Sequence, residues 1–313
     1  MNVLIIADPL ASFKIYKDTT YAIMRALVAH GHTVWACEQK DVFANPTVQT
    51  TAQELALTDG DAWYAVVQTQ TVKLSGFDAV LMRKDPPFNT EYFYATHLLS
   101  QAQAQGAKVF NAGQSLRDHP EKLAILEFSH LAPTTLVSSD AARIKAFVAE
   151  HGDVIVKPLD GMGGTGIFRI KHGDSNTNVI LETLTALGSQ TIMAQQYLPA
   201  IVDGDKRVLI INGEPAPYCL ARIPHGGETR GNLAAGGRGE ARPLTASDWL
   251  IAREVAKTLH GRGLFLVGLD IIGEHLTEIN VTSPTCFQEI FQQTGFDVAA
   301  MYAAALEDCV ASG

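Results

Sequence analysis

Residues 268–280, GLDIIGEHLTEIN, hold the most chemically informative spacing in the chain. If Gly273, Glu274 and His275 form a three-residue hairpin loop, Ile272 opposes Leu276, Asp270 opposes Glu278, and Gly268 opposes Asn280. Asp270, Glu278 and Asn280 then share one face. Two carboxylates facing each other across a hairpin at about 5 Å repel unless a cation lies between them. Oxygen-only ligands suit Mg2+ or Mn2+, with nucleotide phosphates and water completing the shell. An exposed hairpin with solvated acids is the alternative, because the register is inferred.

Residues 154–170, VIVKPLDGMGGTGIFRI, carry G-x-G-x-x-G at Gly161, Gly163 and Gly166. A dinucleotide fingerprint opens a helix, whereas here the apolar, alternating residues 167–170 predict a strand. The segment therefore reads as strand, loop, strand. It lacks the GK[ST] ending of a Walker loop, so a glycine flap including Gly164 would cover phosphates with backbone N–H groups. A mobile hairpin tip is the other reading. Lys157, at the end of a β-branched run, would deliver one fixed ammonium to a nucleotide, or else is an exposed strand-end lysine. Lys122 alone reads most simply as a solvated lysine in a first helical turn.

Residues 225–240, HGGETRGNLAAGGRGE, contain six glycines with Arg230 and Arg238. A loop of this length and polarity is either a lid that carries positive charge onto a reacting phosphate or a disordered segment. His30 and His32 fall in a helix-to-strand turn and match no metal motif, and neither a G-x-S-x-G elbow nor a nucleophilic cysteine setting is visible. Covalent catalysis by the protein is not indicated.

The elements that must position these residues follow from periodicity and punctuation. A strand over 3–7, a helix over 19–29 capped by Asp18 and closed by Gly31, and a strand over 33–38 form a βαβ unit. Strands over 79–82 and 108–110, with a helix after Thr90, extend it into an open α/β sheet. Asp8 and residues 83–87 lie at the strand ends, where ligands gather. From Glu121 two short helices, a strand over 154–156, the glycine loop, a strand over 167–170, a helix near 179–187 and a strand over 191–194 make a small α+β lobe. A third lobe begins near Ala200, with strands over 207–211 and 217–223, the long glycine loop, a helix over 245–259 and a closing strand pair.

The bulk properties fit several lobes of an ordered protein: 313 residues, 47% hydrophobic and 18% charged. A net charge of −9 argues against a general nucleic-acid binder. The widely spaced Cys37, Cys219, Cys286 and Cys309 suit reduced, buried thiols in a cytosolic protein. No apolar run approaches a membrane span, and the first ten residues read as a buried strand and not a secretory leader. The expectation is a cytoplasmic protein without membrane or nucleic-acid partners.

Taken together, residues 82–91, 157–169, 197–209, 217–240 and 268–285 closely resemble the bacterial glutathione synthetases of the ATP-grasp superfamily. The resemblance spans nearly the whole chain, although residues 41–75 and those after 290 carry no matching motif. It implies an N-terminal open α/β (pre-ATP-grasp) domain over 1–120, then a two-lobed ATP-grasp fold with lobes over 121–200 and 201–313. It implies that Lys122, Lys157, Gly161, Gly163 and Gly164 hold ATP phosphates, that Gln195, Gln196, Tyr197 and Leu198 line the adenine pocket, and that Asp205 faces the ribose. Asp270, Glu278 and Asn280 would carry magnesium. Arg207, Arg222, Arg230 and Arg238 would surround the transferring phosphoryl group, and Lys17, Asp18 and Arg83 would face the peptide substrate.

The implied reaction uses ATP as co-substrate and Mg2+ or Mn2+ to activate γ-glutamylcysteine as an acyl phosphate, which glycine's amine attacks. A homotetramer is the implied assembly. Another ATP-grasp ligase, such as one joining D-alanines or adding glutamate to a carrier, and a non-catalytic synapsin-like ATP-binding module are the alternatives. The presence of Asp270, Glu278 and Asn280 together favours turnover over simple binding.

Overall fold

The computed structural model describes residues 1–312 except 61, 227, 229, 230, 232, 234 and 235. β1 (Asn2–Ala7) is apolar along nearly its whole length and buried from Val3 onward, as a central parallel strand must be. α1 (Thr19–Ala29) starts where the Asp18 carboxylate accepts the Tyr21 N–H at 2.8 Å, and β2 (Thr33–Glu38) follows. β3 (Val42–Ala44), β4 (Val48–Leu57) and β5 (Tyr64–Lys73) occupy the stretch without a sequence motif. β6 (Ala79–Met82), α2 (Thr90–Ala104), β7 (Val109–Phe110) and α3 (Gly113–Asp118) complete the first unit. Its seven strands run β3-β4-β2-β1-β6-β7, with β5 on the outer edge of β4. β1 is parallel to both β2 and β6, so the chain leaves it in opposite directions at the strand ends that precede Asp8 and Arg83.

β8 (Thr135–Ser138), α4 (Ala141–His151), β9 (Asp153–Pro158), β10 (Phe168–Lys171), α5 (Thr177–Leu184) and β11 (Ile192–Gln196) build a four-stranded antiparallel sheet in the order β10-β9-β11-β8. The expected pair of short helices before β9 needs correction. A 3-10 segment (Leu123–Phe128) and α4 flank β8, a strand too short and too evenly half-buried to show a period. Ile144, Phe147, Val154, Val156, Ile170 and Leu181 form this unit's own core.

β12 (Asp205–Ile211), β13 (Glu214–Ile223), β14 (Arg238–Pro243), α6 (Ala246–Leu259), β15 (Leu266–Ile272) and β16 (His275–Asn280) give a five-stranded antiparallel sheet, β14-β13-β12-β15-β16. α7 (Phe287–Thr294) and α8 (Val298–Ser312) then fold back. Phe287, Ile290, Tyr302 and Leu306 share one core with Ile5, Ile23 and Leu27 of the first unit and Ile211 of the third. The first and third sheets are thereby locked through a common interior, while the four-stranded sheet stands over the cleft. Among the described residues, no helix is long and apolar enough to cross a membrane.

Candidate active site

The hairpin of β15 and β16 brings Asp270 opposite Glu278 and Gly268 opposite Asn280, as expected, but by a different route. The loop has two residues, not three: Ile272 pairs with His275, and the register is restored by an extra residue, Thr277, bulging between Leu276 and Glu278. Gly273 sits at φ +59°, the first-position conformation that a tight hairpin loop asks of glycine. The bulge also supplies contacts. Thr277 donates its hydroxyl to the Asp270 carbonyl at 3.1 Å, and its own carbonyl accepts the buried Lys157 Nζ at 3.3 Å.

Two arginines from the neighbouring strands close on Asp270. Arg207 of β12 donates Nε at 2.6 Å and Nη2 at 3.3 Å, and Arg222 of β13 places Nη2 2.9 Å from Oδ2. Gly268 is required beside them, since a Cβ there would lie 2.7 Å from Pro284 Cβ and 3.0 Å from Arg207 Cδ. Burial opposes ionisation of Asp270, but Arg207 and Arg222 outweigh it and hold the carboxyl well below its usual range. Arg222 also donates to Asp205 at 2.6 Å. Asp205 competes with Asp270 for this cation, and its buried Oδ1 has no hydrogen-bond partner among the described residues. Burial first, and the Asp270 charge next among the raising influences, push Asp205 up to about 6.

Lys122 reaches across to Glu278 Oε1 at 3.2 Å and to the Gly161 carbonyl at 2.6 Å, tying the glycine loop to β16. Lys157 is buried. Burial lowers its pKa, Glu278 acts to restore it, and nearby Lys122 adds to the lowering. This ammonium is under-compensated in the protein alone, which favours an anionic ligand. The glycine loop joins antiparallel β9 and β10, with Gly163 at φ +62° and Gly164 at φ +86°.

Two adjoining cavities share Lys157, Ile167, Asp270 and Glu278 on their walls. The smaller, about 100 Å3, is lined by Gln195, Gln196, Tyr197, Leu198 and Asp205. The larger, about 420 Å3, takes in Gly161, Gly163, Gly164, Arg207, Arg222 and Asn280, and opposite them Lys17, Asp18 and Arg83. Arg83 is buried and held by the Pro284 carbonyl at 3.0 Å and Thr20 Oγ1 at 3.2 Å. Arg238 is not among the residues lining either cavity. It begins β14, opposite Ile223, and lies exposed with Nη2 3.1 Å from Glu240. The expected loop thus ends before Arg238, because β13 has a free edge for those residues to pair with. Arg230 lies outside the described residues.

The residues present fit a divalent ion. Among the described residues no three His, Cys, Asp or Glu converge, so an ion would rely on Asp270, Glu278, the Asn280 amide oxygen and ligand oxygens. Asn280 commits its Nδ2 to the Gly268 carbonyl at 3.1 Å, which turns its oxygen into the available donor. That set contains only hard oxygens.

Sequence reasoning missed Glu121. Its Oε1 accepts the Val281 N–H (3.0 Å), the Thr282 N–H (3.1 Å) and the Thr282 hydroxyl (2.7 Å), while its carbonyl accepts the Ile279 N–H (3.0 Å). Burial foremost, then Glu278, raises its pKa. Asn111 was missed too. Its buried amide spans Phe265, Leu266 and Val281 with four hydrogen bonds of 2.6–2.8 Å. Neither contact leaves a local signature, because the partners lie more than 150 residues away.

Comparison with known proteins agrees with this geometry. Residues 1–117 match the model of the prokaryotic glutathione synthetase N-terminal domain, and residues 121–295 match that of the prokaryotic glutathione synthetase ATP-grasp domain. The chain is 59% identical to a glutathione synthetase of Bordetella parapertussis (98% of this chain, 99% of the relative). It is 53% identical to one of Salmonella typhimurium, with 97% of each covered. In fold it is similar to the D-cycloserine synthetase DcsG (TM-score 0.69, 16% identity, 98% of this chain and 99% of that one). The ATP-grasp ligase PsnB, solved with a minimal precursor, Mg and ADP, is also similar (TM-score 0.63, 17% identity, 99% and 98% covered). The chain belongs to the prokaryotic glutathione synthetases, ATP-dependent ligases of the ATP-grasp fold.

Proposed function

We propose that this cleft phosphorylates the cysteinyl carboxylate of γ-glutamylcysteine with ATP and lets the amine of glycine attack the acyl phosphate, giving glutathione, ADP and phosphate. The observation that carries the reading is the clustering of Lys157, Arg207 and Arg222 about the Asp270–Glu278 pair, with Lys157 and the two acids on the wall shared by the two cavities and both arginines on the wall of the larger one. A carboxylate is a poor acyl donor because its oxygen leaves badly, and transfer of the γ-phosphoryl group makes it a good leaving group. Little covalent work then falls to the protein; fixed charge around the transferring group supplies most of the help.

Lys122 and Lys157 hold the ATP phosphates under the glycine loop of Gly161, Gly163 and Gly164. Gln195, Gln196, Tyr197 and Leu198 take the adenine, and the Asp205 Oδ1 left without a partner accepts a ribose hydroxyl. Arg207 and Arg222, both buried, stabilise the acyl phosphate side, and Lys17, Asp18 and Arg83 face the dipeptide. Asp270, Glu278 and Asn280 would hold Mg2+, which when bound neutralises phosphate charge. ATP supply and reduced thiols suit the cytoplasm, and a homotetramer is the expected assembly, to be checked by light scattering on the eluting protein.

In the test, ADP release by the purified protein should need both γ-glutamylcysteine and glycine; strong turnover with neither would sink the assignment. Lys157→Ala and Glu278→Gln should each abolish turnover with the circular dichroism spectrum unchanged. Retained activity in both would remove the nucleotide-site reading.

A further inference from the structure

β16 carries Glu278 and Asn280 and is the outermost strand of its sheet. Its outer edge points away from β15, and backbone N–H groups there need partners from elsewhere. Among the described residues no strand covers that edge; the segment that connects the first unit to the four-stranded sheet does. The Leu276 N–H donates to the Leu131 carbonyl at 2.8 Å, and the Ile279 N–H donates to the Glu121 carbonyl at 3.0 Å. These two positions lie three residues apart and not two, because the Thr277 bulge falls between them. The Val281 N–H then meets a side chain in place of a further carbonyl. Glu121 Oε1 accepts it at 3.0 Å, together with the Thr282 N–H at 3.1 Å and the Thr282 hydroxyl at 2.7 Å.

The backbone positions held in this way interleave with the ion ligands. Successive side chains of a strand point to opposite faces, so Glu278 and Asn280 share one face while Ile279 points to the other. Glu121 grips the chain at Ile279, between the two ligands, and at Val281 and Thr282, immediately beyond them. From the inner side the same stretch is held by β15, where Glu278 lies opposite Asp270 and Asn280 Nδ2 donates to the Gly268 carbonyl at 3.1 Å. The course of β16 through its two ligands is thus fixed from both edges, and on the outer edge residue 121 stands in for a neighbouring strand.

We propose that Glu121 is a positioning residue for the divalent ion: by holding the backbone on both sides of Asn280 it sets the separation of Glu278 and Asn280, so that ion affinity depends on a side chain outside the ligand set. This rests on the ion site assigned above. Groups that orient metal ligands from outside are worth about ten- to one-hundredfold in metal affinity. The neighbouring Lys122 does not depend on the Glu121 side chain, because the bond from the Ile279 N–H goes to the backbone carbonyl of residue 121 and survives a side-chain substitution. Loss of the carboxylate should therefore act on the ion and spare the contacts of Lys122 with the nucleotide phosphates.

Equilibrium dialysis of ADP against the full-length protein, with excess Mn2+ and again in chelator, tests this, and electron paramagnetic resonance of the Mn2+ reports the protein-bound ion directly. Wild type should bind ADP more tightly with Mn2+ than without it. Glu121→Ala should weaken binding with Mn2+ about ten- to one-hundredfold and change binding in chelator by less than about twofold. Glu121→Gln keeps an oxygen that can accept all three donors and should return to within about threefold of wild type. Thr282→Val removes one of those donors and no backbone contact, and should cost about threefold, again only with Mn2+. Equal losses with and without Mn2+ in Glu121→Ala would mean that the residue only supports the fold. A loss in Glu121→Gln as large as in Glu121→Ala would mean that its charge acts on the ion directly, and either result would overturn the proposal. No gain from Mn2+ in wild type would instead remove the ion site itself, and with it the positions that Glu121 is proposed to set.

Discussion

At the scale of single residues, the site places carboxylates in opposite electrostatic settings a few ångströms apart, and the consequence is a specific pH dependence. Asp270, flanked by two guanidinium groups, is held below its ordinary value, so its contribution to stability is present above about pH 4 and is lost as pH falls. Asp205 is raised from 3.8 to about 6, chiefly by burial. The folded chain binds that proton more tightly than the unfolded chain, so stability falls as pH rises from about 4 to 6 and stays lower above it, by about 3 kcal/mol. Asp18, Glu121 and Glu289 are raised as well and add to the same descending limb. Asp205→Asn should therefore make the pH 4–6 limb shallower by about that amount while the acid limb below pH 4 remains. Urea midpoints across pH 3–7, in chelator and without nucleotide, would measure both limbs. An unchanged slope in the variant would mean that Asp205 ionises normally in the folded protein.

At the scale of elements, the two strands that carry Asp270 and Glu278 are fixed from outside by the Asn111 amide. It accepts from the Phe265 and Leu266 N–H groups and donates to the Leu266 and Val281 carbonyls. Asn111→Ala strands four buried backbone groups and should cost about 3 kcal/mol or more. The thermal midpoint should drop by about 6 °C or more, and kcat should fall with it as β15 and residues 281–283 relax. A loss under about 1 kcal/mol would show that water replaces the amide. This clamp also explains what sequence could and could not disclose. α1 and β2 were legible to the residue, and β1 to within one residue at its start, because a buried strand, a capped amphipathic helix and Gly31 are all local signals. The acid pair was legible because a hairpin keeps its partners close in the chain, and the pairing survived an error in loop length because the Thr277 bulge compensates for it. β5 has both faces exposed and so shows no alternation, and β8 has only four residues. Glu121 and Asn111 act through tertiary contacts that no spacing encodes.

For the molecule as a whole, the cleft is walled by all three sheets, and the four-stranded sheet supplies Lys157 to a site whose acids belong to the five-stranded one. The first and third units share their cores, while the four-stranded sheet has a core of its own on one face and sends Met193 of β11 into a shared one from the other. A ligand bridging Lys157 and the Asp270–Glu278 pair adds a polar tie between two sheets that already meet through Met193. ATP with Mg2+ at one hundred times its dissociation constant should raise stability by about 2.7 kcal/mol, visible as a concentration-dependent rise in thermal midpoint. The rise should shrink when the divalent ion is chelated, since Asp270 and Glu278 then face the triphosphate without a cation between them. It should be lost at the same nucleotide concentration in Lys157→Ala, whose own midpoint without ligand should be unchanged or higher, because an under-compensated buried ammonium has been removed. If ATP and Mg2+ shift Lys157→Ala as far as wild type, the nucleotide does not span the two lobes at this lysine, and the phosphoryl group must be delivered to the arginines from another side of the cleft.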